Sequence, residues 1–208
     1  HAWEDWGEDC VLRFRGMFDF GLWDRNRQTF FIARDRLGVK PLHYALLDDG
    51  TLVFGSELKV LMQHPGIDRR IDPLAVEEYF SLGYVAEPRT IFKGARKLQP
   101  AESLCIRRGE PPPAPKTYWD VRFSLDNPLS LGEACAELTE RLDESVRLRM
   151  IADVPLGAFL SGGVDSSAVV ACMASQSSEP VNTCSMAFDD PAFNESEFAK
   201  MVADRYHT

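Results

Sequence analysis

The stretch VPLGAFLSGGVDSS, residues 154–167, joins a short apolar segment to a pair of glycines and then to aspartate and serine. An apolar run of this length that ends at glycines is typical of a buried strand. The alanine- and valine-rich residues that follow, from about Ser166 to Gln176, predict a helix. We therefore expect a strand, a tight turn at Gly162-Gly163 and a helix.

This turn has the groups that a pyrophosphate-binding loop needs. The glycine pair lets the backbone approach a bulky anion, and the first N–H groups of the following helix lack partners within that helix. Ser161, Ser166 and Ser167 add hydroxyl donors, and Asp165 can orient the loop or hold the Mg²⁺ that accompanies ATP. The loop lacks the lysine of a Walker A sequence and does not fit G-x-G-x-x-G. The alternative is a plain serine- and glycine-rich turn with a serine N-cap.

The residues around this loop predict an alternation of helices and strands, which is typical of a parallel sheet with crossover helices. Ser130 and Glu133 have the form of a capping box at the start of a long amphipathic helix. The predicted elements after that helix are a strand at Val154–Leu160, the helix to Gln176, a strand at Val181–Phe188 and a helix opened by Asn194 with Glu197 three residues later.

The N-terminal half has a different pattern, with short apolar or alternating runs separated by turn residues. It predicts an antiparallel meander of four strands: Met17–Trp23, Thr29–Ala33, Leu42–Leu46 and Thr51–Gly55. Later predicted elements are a helix at Glu57–Gln63, a helix at Pro73–Ser81 with Asp72 as N-cap, and a strand at Ser103–Arg107.

The prolines of PPPAP, residues 111–115, cannot sit in a helix or a central strand and predict an extended linker. We therefore expect one domain at residues 1–108, a linker at 109–128 and a second domain at 129–208. Because the chain lacks an initiating methionine and stops just after a predicted helix, we expect both termini to be cuts within a longer protein.

Composition excludes several classes of protein. The formal charge of −9, without a basic stripe, argues against nucleic acid as a partner. A membrane is not an expected partner either, because no apolar run approaches the length of a spanning helix and the first residues, His1 to Asp5, have neither the basic nor the apolar region of a signal peptide. The five scattered cysteines lack metal-ligand spacing and predict reduced, mostly buried thiols in the cytoplasm. The four histidines are isolated, and we assign none of them a role.

The SGG-x-DS loop resembles the ATP-pyrophosphatase, or PP-loop, family, whose members cleave ATP between the α- and β-phosphates. Further segments resemble asparagine synthetase B-type amidotransferases in the same order. These segments are Arg15–Phe20, Ala33–Leu42, Gly55–Lys59, Lys97–Pro100, Tyr118-Trp119 and the Ser161 loop. The resemblance implies an α+β N-terminal-nucleophile (Ntn) glutaminase part, followed by an α/β parallel-sheet PP-loop part. It also implies a ligase that uses ATP, Mg²⁺, glutamine and aspartate or another carboxylic acid, and it allows a homodimer.

The same resemblance assigns roles to residues. Residues Ser161 to Ser167, including Gly162, Gly163 and Val164, are expected to bind ATP and pyrophosphate, and Leu160 and Met186 match positions that contact the adenosine. Plain core packing is the alternative for Met186. The family nucleophile is an N-terminal cysteine, which none of the five cysteines matches. We therefore expect no catalytic residue in this chain and no activity from it alone.

Other interpretations stay open from the sequence. A related amidotransferase could act on an acceptor other than aspartate, as in exopolysaccharide- or exosortase-associated clusters, and an inactive nucleotide-binding or structural module is a second alternative. The cluster Arg34-Asp35-Arg36 could bind a carboxylate, but we favour a salt-bridged structural turn.

Overall fold

The computed structural model of the protein describes residues 1–126, 128–190 and 192–208. The chain divides into two compact units, His1–Phe123 and Ser124–Thr208. The division falls inside the segment 109–128 that the sequence predicts as a linker, of which Asn127 lies outside the described residues.

The first unit combines short helices with antiparallel strands. Its helices are α1 (Ala2–Trp6), a 3₁₀ helix (Gly7–Arg13), α2 (Leu58–Leu61) and α3 (Pro73–Leu82). Its strands are β1 (Asp19–Asp24), β2 (Thr29–Arg34), β3 (His43–Leu46), β4 (Leu52–Gly55), β5 (Arg96–Lys97), β6 (Glu102–Arg107) and β7 (Lys116–Thr117).

These strands form two sheets, and the prediction of one four-stranded meander is wrong. One sheet has the order β1-β2-β6-β7 and the other the order β4-β3-β5, all antiparallel. The chain leaves the first sheet after β2 because that strand is buried along nearly its whole length and takes β6 as its second neighbour, with Thr29 opposite Arg107.

The core of the first unit lies on both faces of β2. Phe31 packs with Trp3 and Val11 on one face, whereas Ile32 packs with Leu98 on the other. This alternation follows from the two-residue period of a strand. Strand β2 is therefore the centre of the unit.

Local signals place the long helices correctly. The Asp72 side chain accepts a hydrogen bond from the Leu74 N–H at 3.1 Å and caps α3, as predicted. Ser130 and Glu133 form both bonds of the predicted capping box at the start of α4 (Leu131–Arg149). A cap satisfies N–H groups that a helix start would otherwise leave unpaired.

The second unit continues with β8 (Gly157–Phe159), α5 (Val164–Gln176), β9 (Asn182–Cys184) and α6 (Ser196–Tyr206). Strands β8 and β9 pair in parallel, with Ala158 opposite Thr183. Both strands are shorter than predicted, and Pro155, which lacks an N–H donor, precedes the start of β8. Helix α6 begins two residues after Asn194, whose side chain accepts from the Ser196 N–H at 3.1 Å.

The proline-rich residues 111–115 have no regular secondary structure, as expected. The residues after them nevertheless belong to the first unit. Strand β7 pairs with β6, and the Tyr118 hydroxyl donates to the Arg34 carbonyl at 2.6 Å.

The cysteines are all free, but the expectation that they are mostly buried is wrong. Cys10 is buried, Cys105 and Cys172 are half-buried, and Cys135 and Cys184 are exposed. In the described ranges, none of the helices combines the length and the apolar character needed to cross a membrane.

Candidate functional site

The loop Ser161–Gly163 connects β8 to α5, and Leu160 fixes its first end. The Leu160 N–H donates to the Cys184 carbonyl at 2.9 Å, and the Leu160 carbonyl accepts from the Ser185 hydroxyl at 2.6 Å. Its side chain is 2% exposed and packs with Val170 and Ala199. The loop therefore starts from a fixed point in the core of the unit.

Gly162 is required by the shape of the loop. Its φ of +81° lies in the left-handed region that favours glycine. A Cβ at this position would lie 2.5 Å from the Cβ of Phe198 and 2.6 Å from the backbone nitrogen of Ala199. Helix α6 thus touches the loop backbone directly, and any side chain at this position would displace one of the two.

Three amides at the start of α5 are available to a ligand. The N–H groups of Val164, Asp165 and Ser166 have no hydrogen-bond acceptor among the described residues, and the first bond of the helix runs from the Ser167 N–H to the Gly163 carbonyl. Val164 and Asp165 are exposed. Unpaired N–H groups at a helix start, together with the helix dipole, favour an anion such as a phosphate.

The loop's own amides are used differently. The Ser161 N–H donates to the Ser166 hydroxyl oxygen, and the Gly163 N–H donates to the Ser161 hydroxyl oxygen, each at 3.3 Å. These two loop donors are therefore used inside the loop, whereas the Gly162 N–H, like the first amides of the helix, has no acceptor among the described residues.

Two cavities flank the loop, and five of the predicted site residues line one or the other. Leu160, Ser161 and Met186 line a cavity of about 130 Å³, in which Met186 is 70% exposed. Asp165 and Ser166 line a larger cavity of about 570 Å³, whose other walls come mainly from apolar residues of α4, β8 and α5. The fold places Asp165 and Met186 on the same unit but does not bring them into one cavity.

Ser167 and Asp165 differ in what they can offer to a ligand. The Ser167 hydroxyl oxygen is buried and has no hydrogen-bond partner in the part of the chain that the structure describes, so it does not face the open side of the loop. Asp165 is exposed. In the described residues no three His, Cys, Asp or Glu side chains cluster as a metal site, so a cation here would need phosphate oxygens as further ligands.

Some residues near the loop escaped the sequence interpretation. Phe188, Phe193 and Glu195 line the small cavity with Ser161. Glu195 directly precedes α6. The sequence analysis used its neighbours Asn194 and Glu197 as the signal for the start of this helix and gave Glu195 no role. Phe193 carried no signal, because it lies in a segment without periodicity.

Two cysteines are poor nucleophiles at neutral pH. Burial, together with nearby Glu8, raises the pKa of the Cys105 thiol to about 11. Burial, together with nearby Asp143, raises the pKa of the Cys172 thiol to about 11. Because the thiolate is the reactive form, neither residue suits nucleophilic catalysis.

The cluster Arg34-Asp35-Arg36 in the first unit forms a structural turn. Asp35 is 1% exposed, and its carboxylate accepts from the N–H groups of Leu37, Val39 and Lys40 at 2.9–3.2 Å. The Arg34 guanidinium donates to Glu87 and to three backbone carbonyls. The ion pair of this turn is therefore Arg34–Glu87, and the Asp35 carboxylate is used for backbone bonds.

Residues 1–119 match the glutamine amidotransferase domain family. The chain belongs to this family. Residues 137–208 match the asparagine synthase family, so the resemblance drawn from the motifs is confirmed. The helices and antiparallel sheets of the first unit, followed by the second unit, agree with that order of families.

Named relatives of the chain agree with both family matches. "Asparagine synthetase [glutamine-hydrolyzing] 3" of Bacillus subtilis is 36% identical over 95% of this chain and 33% of its own length. "Putative asparagine synthetase [glutamine-hydrolyzing] 2" of Methanocaldococcus jannaschii is 35% identical over 97% of this chain and 39% of its own length. A putative asparagine synthetase of Mycobacterium tuberculosis is 37% identical over 98% of this chain and 32% of its own length. The chain thus spans about a third of the length of these curated relatives.

Proposed function

We propose that the full-length protein is a glutamine-dependent, ATP-consuming amidotransferase of the asparagine synthetase type. The single observation that carries the proposal is the set of three free amides at the start of α5. They follow Gly162, where any side chain would displace the loop or α6. The family matches and the names of the relatives support it.

In this proposal the first unit is part of an Ntn-type glutaminase domain, and the second unit begins an ATP-pyrophosphatase domain. The parallel pair β8–β9 would be part of a larger parallel sheet. The open ends of parallel strands that meet helix starts are a common place for nucleotide binding.

The proposed reaction has two steps. A carboxylate oxygen of the acceptor, aspartate in our proposal, attacks the α-phosphorus of ATP, and the bond to the bridging oxygen breaks to release pyrophosphate. Ammonia derived from glutamine then adds to the acyl carbon, and AMP leaves. Preorganised N–H donors stabilise the charge that develops on the leaving pyrophosphate.

The residues have different proposed roles in the first step. The amides of Val164, Asp165 and Ser166 would bind phosphate oxygens, and the Asp165 carboxylate would hold Mg²⁺ together with those oxygens. Met186 is exposed beside Ser161 and would contact the adenosine. The Leu160 side chain is buried and its backbone is engaged, so its role would be to fix the start of the loop.

Exchange of labelled pyrophosphate into ATP tests the first step in the full-length protein. We expect Asp165→Ala to lower the exchange rate at least about tenfold, because removal of a positioned charged group removes transition-state stabilisation. Asp204→Ala is the matched control, because Asp204 is an exposed carboxylate of α6 that pairs with Lys200 at 3.6 Å. Undiminished exchange in Asp165→Ala would show that Asp165 is not part of the site.

A separate experiment tests which acid is the acceptor. The products that the full-length protein forms with aspartate and with other carboxylic acids are compared.

A further inference from the structure

The Ser166 hydroxyl is surrounded by atoms of the loop that precedes it. Its oxygen lies 3.3 Å from the Ser161 N–H nitrogen, 3.0 Å from the Ser161 hydroxyl oxygen and 3.2 Å from the Gly163 carbonyl oxygen. The Gly163 N–H in turn donates to the Ser161 hydroxyl oxygen at 3.3 Å. These contacts join both ends of the loop to the first turn of α5.

The hydrogen atoms of this network can be placed. A serine hydroxyl has one donor and can accept two bonds. The Ser166 hydroxyl donates to the Gly163 carbonyl, because a carbonyl can only accept. The contact between the two hydroxyls is then made by the Ser161 hydroxyl as donor. Both hydroxyl protons are therefore used inside the loop, and neither remains for a phosphate.

The backbone N–H of Ser166 is in the opposite situation. It has no acceptor within the described residues, like the N–H groups of Val164 and Asp165. We infer that Ser166 is a positioning residue whose hydroxyl holds the Ser161–Gly163 loop, so that these three amides face the phosphates together. The inference rests on the proposed function for the identity of the ligand, but the network itself is a property of the free protein.

Hydrogen exchange of the nucleotide-free, full-length protein tests the network without any activity. In Ser166→Ala the Ser161 N–H loses its acceptor, and we expect it to exchange at least about tenfold faster than in the unchanged protein. Ser175→Ala is the matched control, because the Ser175 hydroxyl lies on the same helix and bonds the Cys172 carbonyl. An unchanged exchange rate at Ser161 in Ser166→Ala would overturn the inference.

Pyrophosphate exchange kinetics separate positioning from direct contact. A loop that is only partly in the competent state weakens apparent ATP binding by that fraction, whereas saturating ATP restores it. We therefore expect Ser166→Ala to raise KM for ATP by about tenfold with kcat nearly unchanged. A fall in kcat at constant KM would indicate direct contact with the transition state and contradict the inference.

A double-mutant cycle gives a second readout. Ser161 and Ser166 act as one unit. The variant with both serines changed to alanine should therefore have a KM for ATP no higher than that of the more impaired single variant. Ser166→Thr keeps the hydroxyl, so we expect its KM for ATP to be close to that of the unchanged protein. The inference would be overturned if the two single effects on KM multiplied in the double variant, or if Ser166→Thr had the raised KM of Ser166→Ala.

If the unchanged protein shows no pyrophosphate exchange, the proposed function fails. Hydrogen exchange at the Ser161 N–H then still tests whether the Ser166 hydroxyl holds the loop.

Discussion

Two turns of this chain follow an apolar strand and contain charged residues and a glycine with positive φ, yet they use their polar groups in opposite ways. In the turn from Arg34 to Lys40 the Asp35 carboxylate accepts three backbone N–H groups, and Gly38 has φ +65°. In the turn from Ser161 to Ser167 the N–H groups of Gly162, Val164, Asp165 and Ser166 have no acceptor within the described residues, and Gly162 has φ +81°. In the first turn a carboxylate of the chain takes up three backbone donors, whereas in the second turn these donors are left to water or to an external anion.

This difference separates a turn whose polar groups serve the fold from one that can accept a ligand. Buried backbone donors are nearly always paired, so a set of unpaired donors on an exposed helix start has either water or a ligand as its partner. The presence of a charged residue does not separate the two turns, because each has an aspartate after its strand, Asp35 in the first and Asp165 in the second. Asp35 is buried among N–H groups, and Asp165 is exposed.

The largest effect that tests this comparison is expected in the first turn. Arg34→Ala would leave the half-buried Glu87 carboxylate without its ion pair at 2.8 Å, and it would leave the Lys40 and Leu98 carbonyls without a donor. Loss of one partner of a largely buried ion pair costs about 3–5 kcal/mol of unfolding free energy. Urea unfolding measures it, and the exposed Arg25→Ala should stay within about 0.5 kcal/mol of the unchanged protein. A loss below about 1 kcal/mol for Arg34→Ala would show that the turn holds without Arg34.

A smaller effect is expected at the glycine of the second turn. Gly162→Ala combines an unfavourable φ with a Cβ that lies 2.6 Å from the Ala199 backbone nitrogen, so we expect a loss on the order of 2–4 kcal/mol.

Gly132→Ala is the matched control for this substitution. Gly132 lies in the first turn of α4 with nothing within 4 Å of its missing Cβ, so alanine there should be neutral or stabilising by up to about 1 kcal/mol. Thermal unfolding of both variants measures the difference. Equal stability would mean that α6 can move away from the loop at little cost.

Features that depend on neighbouring residues were predictable from the sequence. The caps at Asp72 and Ser130 each involve residues at most three positions apart, and both are present. The order of strand, glycine turn and helix around the Ser161 loop is present for the same reason. Strand pairing was not predictable, because β2 takes its second partner from β6, which lies far along the chain.

The candidate site shows the same limit. The glycine pair could be recognised locally, but the contact of Gly162 with Phe198 and Ala199 joins residues that only the fold brings together. The apolar runs that contain Leu160 and Met186 also do not show which of the two side chains is buried. Strand β9 ends at Cys184, so Met186 lies beyond the alternation of the strand and is 70% exposed, whereas Leu160 is 2% exposed.

The smallest expected loss of stability concerns Tyr118, which the sequence analysis placed in the linker. Its hydroxyl donates to the Arg34 carbonyl of the first turn at 2.6 Å. Tyr118→Phe removes this hydrogen bond and should cost about 1 kcal/mol at neutral pH. Burial, with nearby Asp35 as a lesser cause, raises the pKa of Tyr118 to about 12, whereas a tyrosine in an unfolded chain titrates near pH 10.

That pKa difference gives the Tyr118→Phe experiment a second, sharper readout. Above about pH 10 the unfolded state loses the tyrosine proton first, so the unchanged protein should lose stability between about pH 10 and 12. Phenylalanine has no proton to lose, so the stability gap between the two proteins should narrow over this range. Urea unfolding of both proteins at pH 7, 10 and 11 measures the gap. A gap that stays constant would mean that Tyr118 titrates as in the unfolded chain and that its hydroxyl is not buried against the Arg34 carbonyl as the structure describes.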